Sequence, residues 1–225
     1  MNDPSILLTI AVLGGTGKEG KGLAYRLSKA GYRVAIGSRS PEKAIHTASE
    51  IVQLLDGSSS TVGMSNLDAA KQADIILLTV PYSSHRETLE SVRDALKGKI
   101  LVDVTVPLLP PKVNKVNMPS AGSAAQEAKQ ILGDEVEIAA AFQNISHEYL
   151  LQDTDAGCDV LVTGTSKETR DQVLRLVGAA GLTGWDAGPI ENSVVIEGLT
   201  SVLININRRY GSTHAGIKIT GVNKT

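Results

Sequence analysis

One cysteine stands in 225 residues, Cys158, so no internal disulfide can form and no cysteine-based metal cluster is available. A reducing cytoplasm is the expected compartment, with Cys158 as a small packing residue. Neither sign of charge is in excess: 22 Lys and Arg face 24 Asp and Glu, a formal net charge of −2. No basic block marks a nucleic-acid or membrane surface, so neither partner is expected. Membrane-length apolar runs are missing too. The apolar start, Ile6 to Leu13, has no positively charged stretch before it, is too short to span a bilayer and runs into Gly14-Gly15. It is expected to be a buried strand. There is no internal repeat, no paired-carboxylate motif, no Ser/His/Asp set and no metal-ligand cluster.

What is there is an alternation. Apolar residues make up 42% and charged residues 20%, enough at this length for one substantial core with a small appendage. Strand-like runs at Thr9-Leu13, Arg33-Ile36, Thr61-Met64, Asp74-Val80, Lys99-Val104, Val136-Ala141, Asp159-Thr163 and Thr183-Asp186 are separated by helical stretches. Those helices run over about 19–30, from Ser40-Pro41 onward, 84–96, 123–132, 167–180 and 192–210. Ser40 before Pro41 reads as an N-cap followed by the tolerated first helical position, and Gly31 as a left-handed helix stop. The pattern predicts an α/β fold: a Rossmann-type parallel sheet with helices on both faces and a small C-terminal lobe. Residues 1–164 are read as the nucleotide-binding domain and 165–225 as the lobe. The apolar residues of the last helix cover more than one stripe, which suggests burial against another element or a second subunit, and a homodimer is a plausible assembly.

The decisive local feature is Gly14-Gly15-Thr16-Gly17-Lys18-Glu19-Gly20. It places G-x-G-x-x-G at Gly15, Gly17 and Gly20, after a strand and opening a helix, which is the dinucleotide-binding setting. Gly15 is read as permitting the tight turn, Gly17 as letting backbone approach a pyrophosphate, and Gly20 as letting the helix pack on the strand. About 20 residues on, an acid would bind the ribose hydroxyls of NAD. Here the strand ends Ile36-Gly37-Ser38-Arg39-Ser40 with no carboxylate. Arg39, Ser38 and Lys43 suit a 2′-phosphate instead, which points to NADP(H). Glu42 keeps NAD open, although it lies on the following helix. Arg39 and Lys43 can also be read as solvated surface charges.

The segment VLGGTGKEGKGLAYRLSKAGYRVAIGSR resembles the opening of the F420-dependent NADP oxidoreductases. Asp74-Ile75 with Leu78-Thr79-Val80-Pro81, then Asp186-Ala187-Gly188-Pro189 with Asn192-Ser193, and the ending Gly216-Ile217-Lys218 extend the likeness from Ile10 to Lys218. The resemblance implies hydride transfer between NADP(H) and coenzyme F420, a deazaflavin, in a cleft between the two parts. It implies NADP contacts at Thr16, Gly17, Lys18, Glu19, Ser38, Arg39, Lys43, Pro81 and His85, and an F420 surface near Gln143, Ile145 and Ala215. His147 follows that loop and is a further cleft candidate. The loop carries Gln143 where the family leads us to expect a His; Gln donates and accepts hydrogen bonds but carries no positive charge. For the phosphate and acidic tail of F420, Lys112, Lys115, Arg208, Arg209 and Lys218 are a candidate receiving patch.

Hydride transfer between two bound cofactors needs no protein nucleophile; it needs the reacting carbons face to face with water excluded. No catalytic side chain is therefore assigned. His46 is read as solvated, His214 as a tail residue, and Asp103 as a hydrogen-bond partner for loop backbone. Two other readings stay open: NADPH-dependent reduction of a flavin or of a small carbonyl or imine, and a non-catalytic NADP-sensing module.

Overall fold

A computed structural model describes residues 8–152 and 157–222. Its eight strands are β1 (Thr9–Leu13), β2 (Arg33–Ser38), β3 (Thr61–Ser65), β4 (Ile75–Leu78), β5 (Ile100–Asp103), β6 (Glu137–Ala140), β7 (Asp159–Gly164) and β8 (Thr183–Pro189). They form one sheet in the order β3-β2-β1-β4-β5-β6-β7-β8. Every neighbouring pair is parallel except β6 and β7, which run antiparallel, so the sheet is mostly rather than wholly parallel. The chain winds outward from β1 to β3 and then returns to start β4 on the other side of β1. That reversal leaves a crevice at the carboxyl ends of β1 and β4, the place where doubly wound sheets bind ligands.

The central strands are apolar on both faces because both are covered. Alternation along β1 sends Ile10 and Val12 into one core and Ala11 and Leu13 into the other; β4 divides Ile75 and Leu77 from Ile76 and Leu78 in the same way. The first core is closed by α1 (Lys18–Lys29), α2 (Pro41–Leu54) and α7 (Lys167–Ala179), through residues such as Leu23, Leu27, Ile51 and Leu176. The second is closed by α3 (Asn66–Gln72), α4 (His85–Val92) and α5 (Ala124–Leu132), through Ala69, Leu89 and Ile131 among others. Serine caps open five of the helices, among them Ser40 for α2, Ser65 for α3, Ser123 for α5 and Ser166 for α7.

Two helices lie outside the sequence expectation. In α3, seven residues bury only Ala69 and Ala70 and so show no apolar stripe. The other, α6 (His147–Leu150), is a single turn. The last helix, α8 (Ser193–Tyr210), ends at Gly211 with φ 65° and buries only part of its apolar surface. The sheet continues across residue 164, since β7 pairs with β8 beyond it.

One cation ties the C-terminal helices to the first. Arg26, in the last turn of α1, donates from Nε to the Leu150 carbonyl at 2.9 Å and from Nη2 to the Tyr149 carbonyl at 2.7 Å. It also reaches the carbonyls of Gln152 and Ala180. These are the open ends of α6 and α7, where a cation meets unsatisfied carbonyls and the negative helix pole. Replacing Arg26 with Met should lower unfolding free energy by about 2 to 4 kcal/mol, because the carbonyls lose a charged donor while the apolar stem is kept. Urea denaturation checks this, and an unchanged midpoint contradicts it.

Candidate functional site

The crevice begins at the β1–α1 connection. Gly14 takes φ +74°, so the left-handed residue of the turn is Gly14 and not Gly15. Gly15 is a glycine because of close approach: its N–H donates to the Val12 carbonyl at 3.2 Å and the Gly37 carbonyl at 3.1 Å, and a Cβ there would lie 2.7 Å from Val12 O. A Cβ on Gly20 would lie 2.5 Å from Thr79 Oγ1 and 2.7 Å from Gly15 Cα, so α1 rests on bare backbone. Gly17 is the N-cap, and no side chain caps α1 in its place. Its first-turn amides therefore face the crevice end of the helix without a side-chain partner, an anion-binding arrangement.

A groove of about 270 Å³ opens there. Of the residues expected from the sequence, Thr16, Gly17, Ser38, Arg39, Lys43 and Pro81 line it. Arg39 and Lys43 are exposed, and neither has an ion pair among the described residues. Ser38 is buried, with its Oγ accepting from Ser40 N at 3.2 Å. Glu42 does not line it: Ser40 Oγ donates to its carboxyl at 2.9 Å, and that hydrogen bond holds the carboxyl below the usual range. Asn66, the first residue of α3, is a lining residue the sequence did not reveal; its Oδ1 accepts from Gly14 N at 3.4 Å. Its only signal is the Ser65-x-x-Asp68 helix start, in which Ser65 Oγ accepts from Asp68 N at 3.1 Å.

A second cavity of about 380 Å³ lies between the loop after β6, α6, α8 and the first turn of α1. The expected Gln143, Ile145, His147 and Ala215 all line it, joined by Glu19, Asn144, Thr200 and Arg208. The loop turns at Phe142, whose φ of 72° is a strained conformation for a bulky residue. It is held there by Gln143 Nε2 donating to the Asp103 carbonyl at 2.7 Å and by Thr200 Oγ1 donating to the Gln143 carbonyl at 2.8 Å. Asn144 Nδ2 donates to the Ile196 carbonyl at 3.0 Å. Because a carbonyl can only accept, both amides are fixed with nitrogen toward the protein. Gln143 Oε1 and Asn144 Oδ1 are consequently buried with no donor, and Glu19 Oε1 is likewise buried without a partner among the described residues. The two unfilled amide oxygens call for a ligand that donates hydrogen bonds, while Glu19 can donate or accept according to its protonation. Burial pushes the Glu19 carboxyl up to about 8.

Behind the two cavities runs a buried polar network. His85, on the first turn of α4, is fully buried and does not line the groove; its Nε2 lies 2.7 Å from Asp103 Oδ2. Asp103 Oδ1 accepts from Thr105 N at 3.0 Å, the loop-backbone role expected of it. His85 Nδ1 makes no hydrogen bond among the described residues but lies 3.6 Å from Glu127, whose carboxylate accepts from Tyr82 and Arg86. Burial opposes the charge on His85, but Asp103 and Glu127 outweigh it and raise its imidazole above the ordinary range. Glu197 of α8, fully buried, accepts from Ala124 N at 2.7 Å and Ala125 N at 3.1 Å, docking α8 on the start of α5. Burial and the nearby Asp103 push it up to about 8, against the pull of those two amides.

The remaining predicted residues fall elsewhere. Gly15 acts inside the turn and Gly20 in the first turn of α1, and Lys18 is exposed and lines neither cavity. Glu19 lines the second cavity rather than the groove. Of the proposed basic patch only Arg208 reaches the second cavity. His46 is exposed, and His214 pairs with Glu148 at 2.6 Å. No group of three or more His, Cys, Asp or Glu among the described residues is arranged to hold a metal, and no helix among them is long and apolar enough to cross a membrane.

Comparison with known proteins follows the same lines. Residues 9–107 match the family described as NADP oxidoreductase coenzyme F420-dependent. The chain is 40% identical over 223 residues to the F420-dependent NADP reductase of Methanothermobacter marburgensis, covering 96% of this chain and 99% of that one. It is 37% identical over 224 residues to the reductase of the same description from Methanocaldococcus jannaschii, again across 96% and 99% of the two chains. Among solved structures, an Arthrobacter sp. FB24 protein provisionally assigned as an F420-dependent NADP-reductase superposes with a TM-score of 0.79 at 26% identity, over 95% of this chain and 99% of its own.

The buried network sets a pH dependence. Glu197 and His85 bind protons more tightly in the fold than in the unfolded chain, so the stability they contribute is lost as pH rises, from about 5 toward 9. Thermal melts of the wild type should decline across that window, and Glu197→Gln should flatten the slope. A wild type whose melting point is level from pH 5 to 9 contradicts this assignment.

Proposed function

The chain belongs to the coenzyme F420-dependent NADP oxidoreductase family, and we propose that it transfers hydride reversibly between NADP(H) in the groove and F420 in the second cavity. The observation that carries this reading is the pair of cavities sharing one connection: Thr16 and Gly17 line the first and Glu19, two residues on, lines the second. In this reading the uncapped amides of α1 receive the pyrophosphate. Arg39, Ser38 and Lys43 receive the 2′-phosphate, Arg39 as a planar donor and Lys43 as a point charge. Gln143 Oε1 and Asn144 Oδ1 accept from the ring N–H of the deazaflavin, and Arg208 faces its acidic tail. Nicotinamide supplies the hydride and the deazaflavin takes it up. The protein contributes position and exclusion of water, which is why an amide at Gln143 suffices where a His was expected.

His85 acts in this account from behind the wall: through Asp103 it fixes the end of β5, whose carbonyl holds Gln143. Residues 1–164 then serve as the nucleotide-binding part, while 165–225 supply α8 as the far wall of the second cavity. The exposed apolar row Val195, Val202, Ile206 and Tyr210 on α8 supports a homodimer, and the lone cysteine supports a cytoplasmic setting.

The test is direct. Purified protein mixed with NADPH and oxidised F420 should bleach the deazaflavin absorbance rapidly; NADH in place of NADPH should bleach it much more slowly, and FMN in place of F420 should lose its own flavin absorbance much more slowly. Arg39→Ala should raise the KM for NADPH by about 10- to 100-fold while leaving that for NADH nearly unchanged. Absence of F420 bleaching by a protein that binds NADPH overturns the reading.

A further inference from the structure

Hydride transfer delivers one hydrogen nucleus with two electrons, a net charge of −1, so reduction of the acceptor leaves a negative charge that a second proton must balance. The buried groups already described do not supply it in an obvious way. Gln143 and Asn144, which press the β6 loop against the second cavity, are amides with their nitrogens committed to carbonyls. Glu148 is held ionised, below the usual carboxylate range, chiefly by its hydrogen bond from Thr213, with His214 beside it. Glu19 differs from all of these. It stands in the first turn of α1, lines the second cavity, and its Oε1 is buried without a donor.

Resting on the NADP–F420 reading, we propose that Glu19 is the proton donor for F420 reduction and the proton acceptor for the reverse reaction. The balance is simple. The C4–H bond of the reduced nicotinamide breaks with its electron pair moving to the acceptor carbon, C5. The conjugated electrons shift toward the ring nitrogen N1, and the Oε–H bond of Glu19 breaks to give N1 its proton. Glu19 is left as a carboxylate and regains a proton from solvent. One hydrogen of the product thus comes from NADPH and one from water by way of Glu19.

Placement makes this possible. The same helix start offers its amides to the nucleotide groove and its Glu19 side chain to the other cavity, so the proton source sits at the partition between the two ligands. A half-buried carboxyl with one oxygen buried and unpartnered favours the neutral, proton-bearing form. Burial alone accounts for its shift up to about 8, a value suited to giving a proton in one direction and taking it in the other near neutral pH. The ionisable groups around the cavity are His147 and Glu148 on α6 and Arg208 on α8, with Lys18 adjacent in the chain and exposed.

Glu19→Gln keeps the shape and removes the transferable proton. With an unchanged melting point and an NADPH Kd within about twofold of wild type, single-turnover reduction of F420 should fall about 100-fold. In the wild type, F420 reduction should decline above pH 8 while NADP reduction rises through the same pH, and both limbs should vanish in Glu19→Gln. Glu19→Asp, which retains a carboxyl, should retain both limbs at a reduced rate. Independently of turnover, the carboxyl 13C resonance that disappears in Glu19→Gln should titrate near 8 in the ligand-free wild type. An active wild type alongside a Glu19→Gln variant with normal rates and normal pH limbs overturns this proposal alone, as does a Glu19 resonance titrating in the ordinary carboxylate range. A wild type that moves no hydride from NADPH to F420 overturns the NADP–F420 reading and the proposal together.

Discussion

The approach of α1 to bare backbone is the constraint from which the site is built. Thr79 Oγ1 and Gly15 Cα occupy the space that a side chain at Gly20 would need, and Thr79 Oγ1 in turn donates to the Leu13 carbonyl at 2.9 Å. The helix is thereby seated on the ends of β1 and β4, over the crossover of the sheet. Its first turn must then begin at the crevice, uncapped, with Gly17 turned to one cavity and Glu19 to the other. Adding a methyl group at Gly20 would lift the whole partition, not one contact.

The second cavity depends on a different kind of bond. Whereas α1, α2, α4 and α5 are seated by apolar residues in the two cores, α8 is fastened largely by polar ties. Glu197 caps α5, Thr200 holds the Gln143 carbonyl, the Ile196 carbonyl holds Asn144, and Ser193 meets Ser123 at 2.6 Å. Such ties are directional, so they fix where the cavity wall stands more strictly than side-chain packing would. They also hold the strained turn at Phe142 in place. Arg26 does the same for α6, from the far end of α1. One wall of the second cavity is thus referred back to α1, and the other to α5 and the loop after β6.

Much of this was legible in the residues. The strands announced themselves because β1, β4 and β5 are apolar on both faces, and the glycine spacing located the groove through its backbone requirement. Ser38, Arg39 and Lys43 were legible because the absence of an acid at the end of β2 is a chemical statement. What stayed hidden is what depends on distant pairs. His85 looks like a first-turn surface residue until Asp103, 18 positions on, is seen to bury it. The short α3 has an alanine face too small to show periodicity, so Asn66 was not placed on the groove. Glu19 sits in the glycine motif, and only the position of α6 and α8 reveals that its side chain belongs to the other cavity. The antiparallel β7 has the same apolar alternation as its neighbours, and direction leaves no mark in composition.

The central claim is that two ligands meet across one helix start and exchange hydride directly. Reduction of F420 by NADPH carrying deuterium on the transferred C4 position, followed by mass spectrometry and proton NMR of the product, tests it. The account predicts one deuterium on the deazaflavin carbon C5, retained in full and on a single face, with the N1 hydrogen drawn from water. Deuterium lost to solvent, or spread over both faces, would contradict a direct transfer between adjoining cavities.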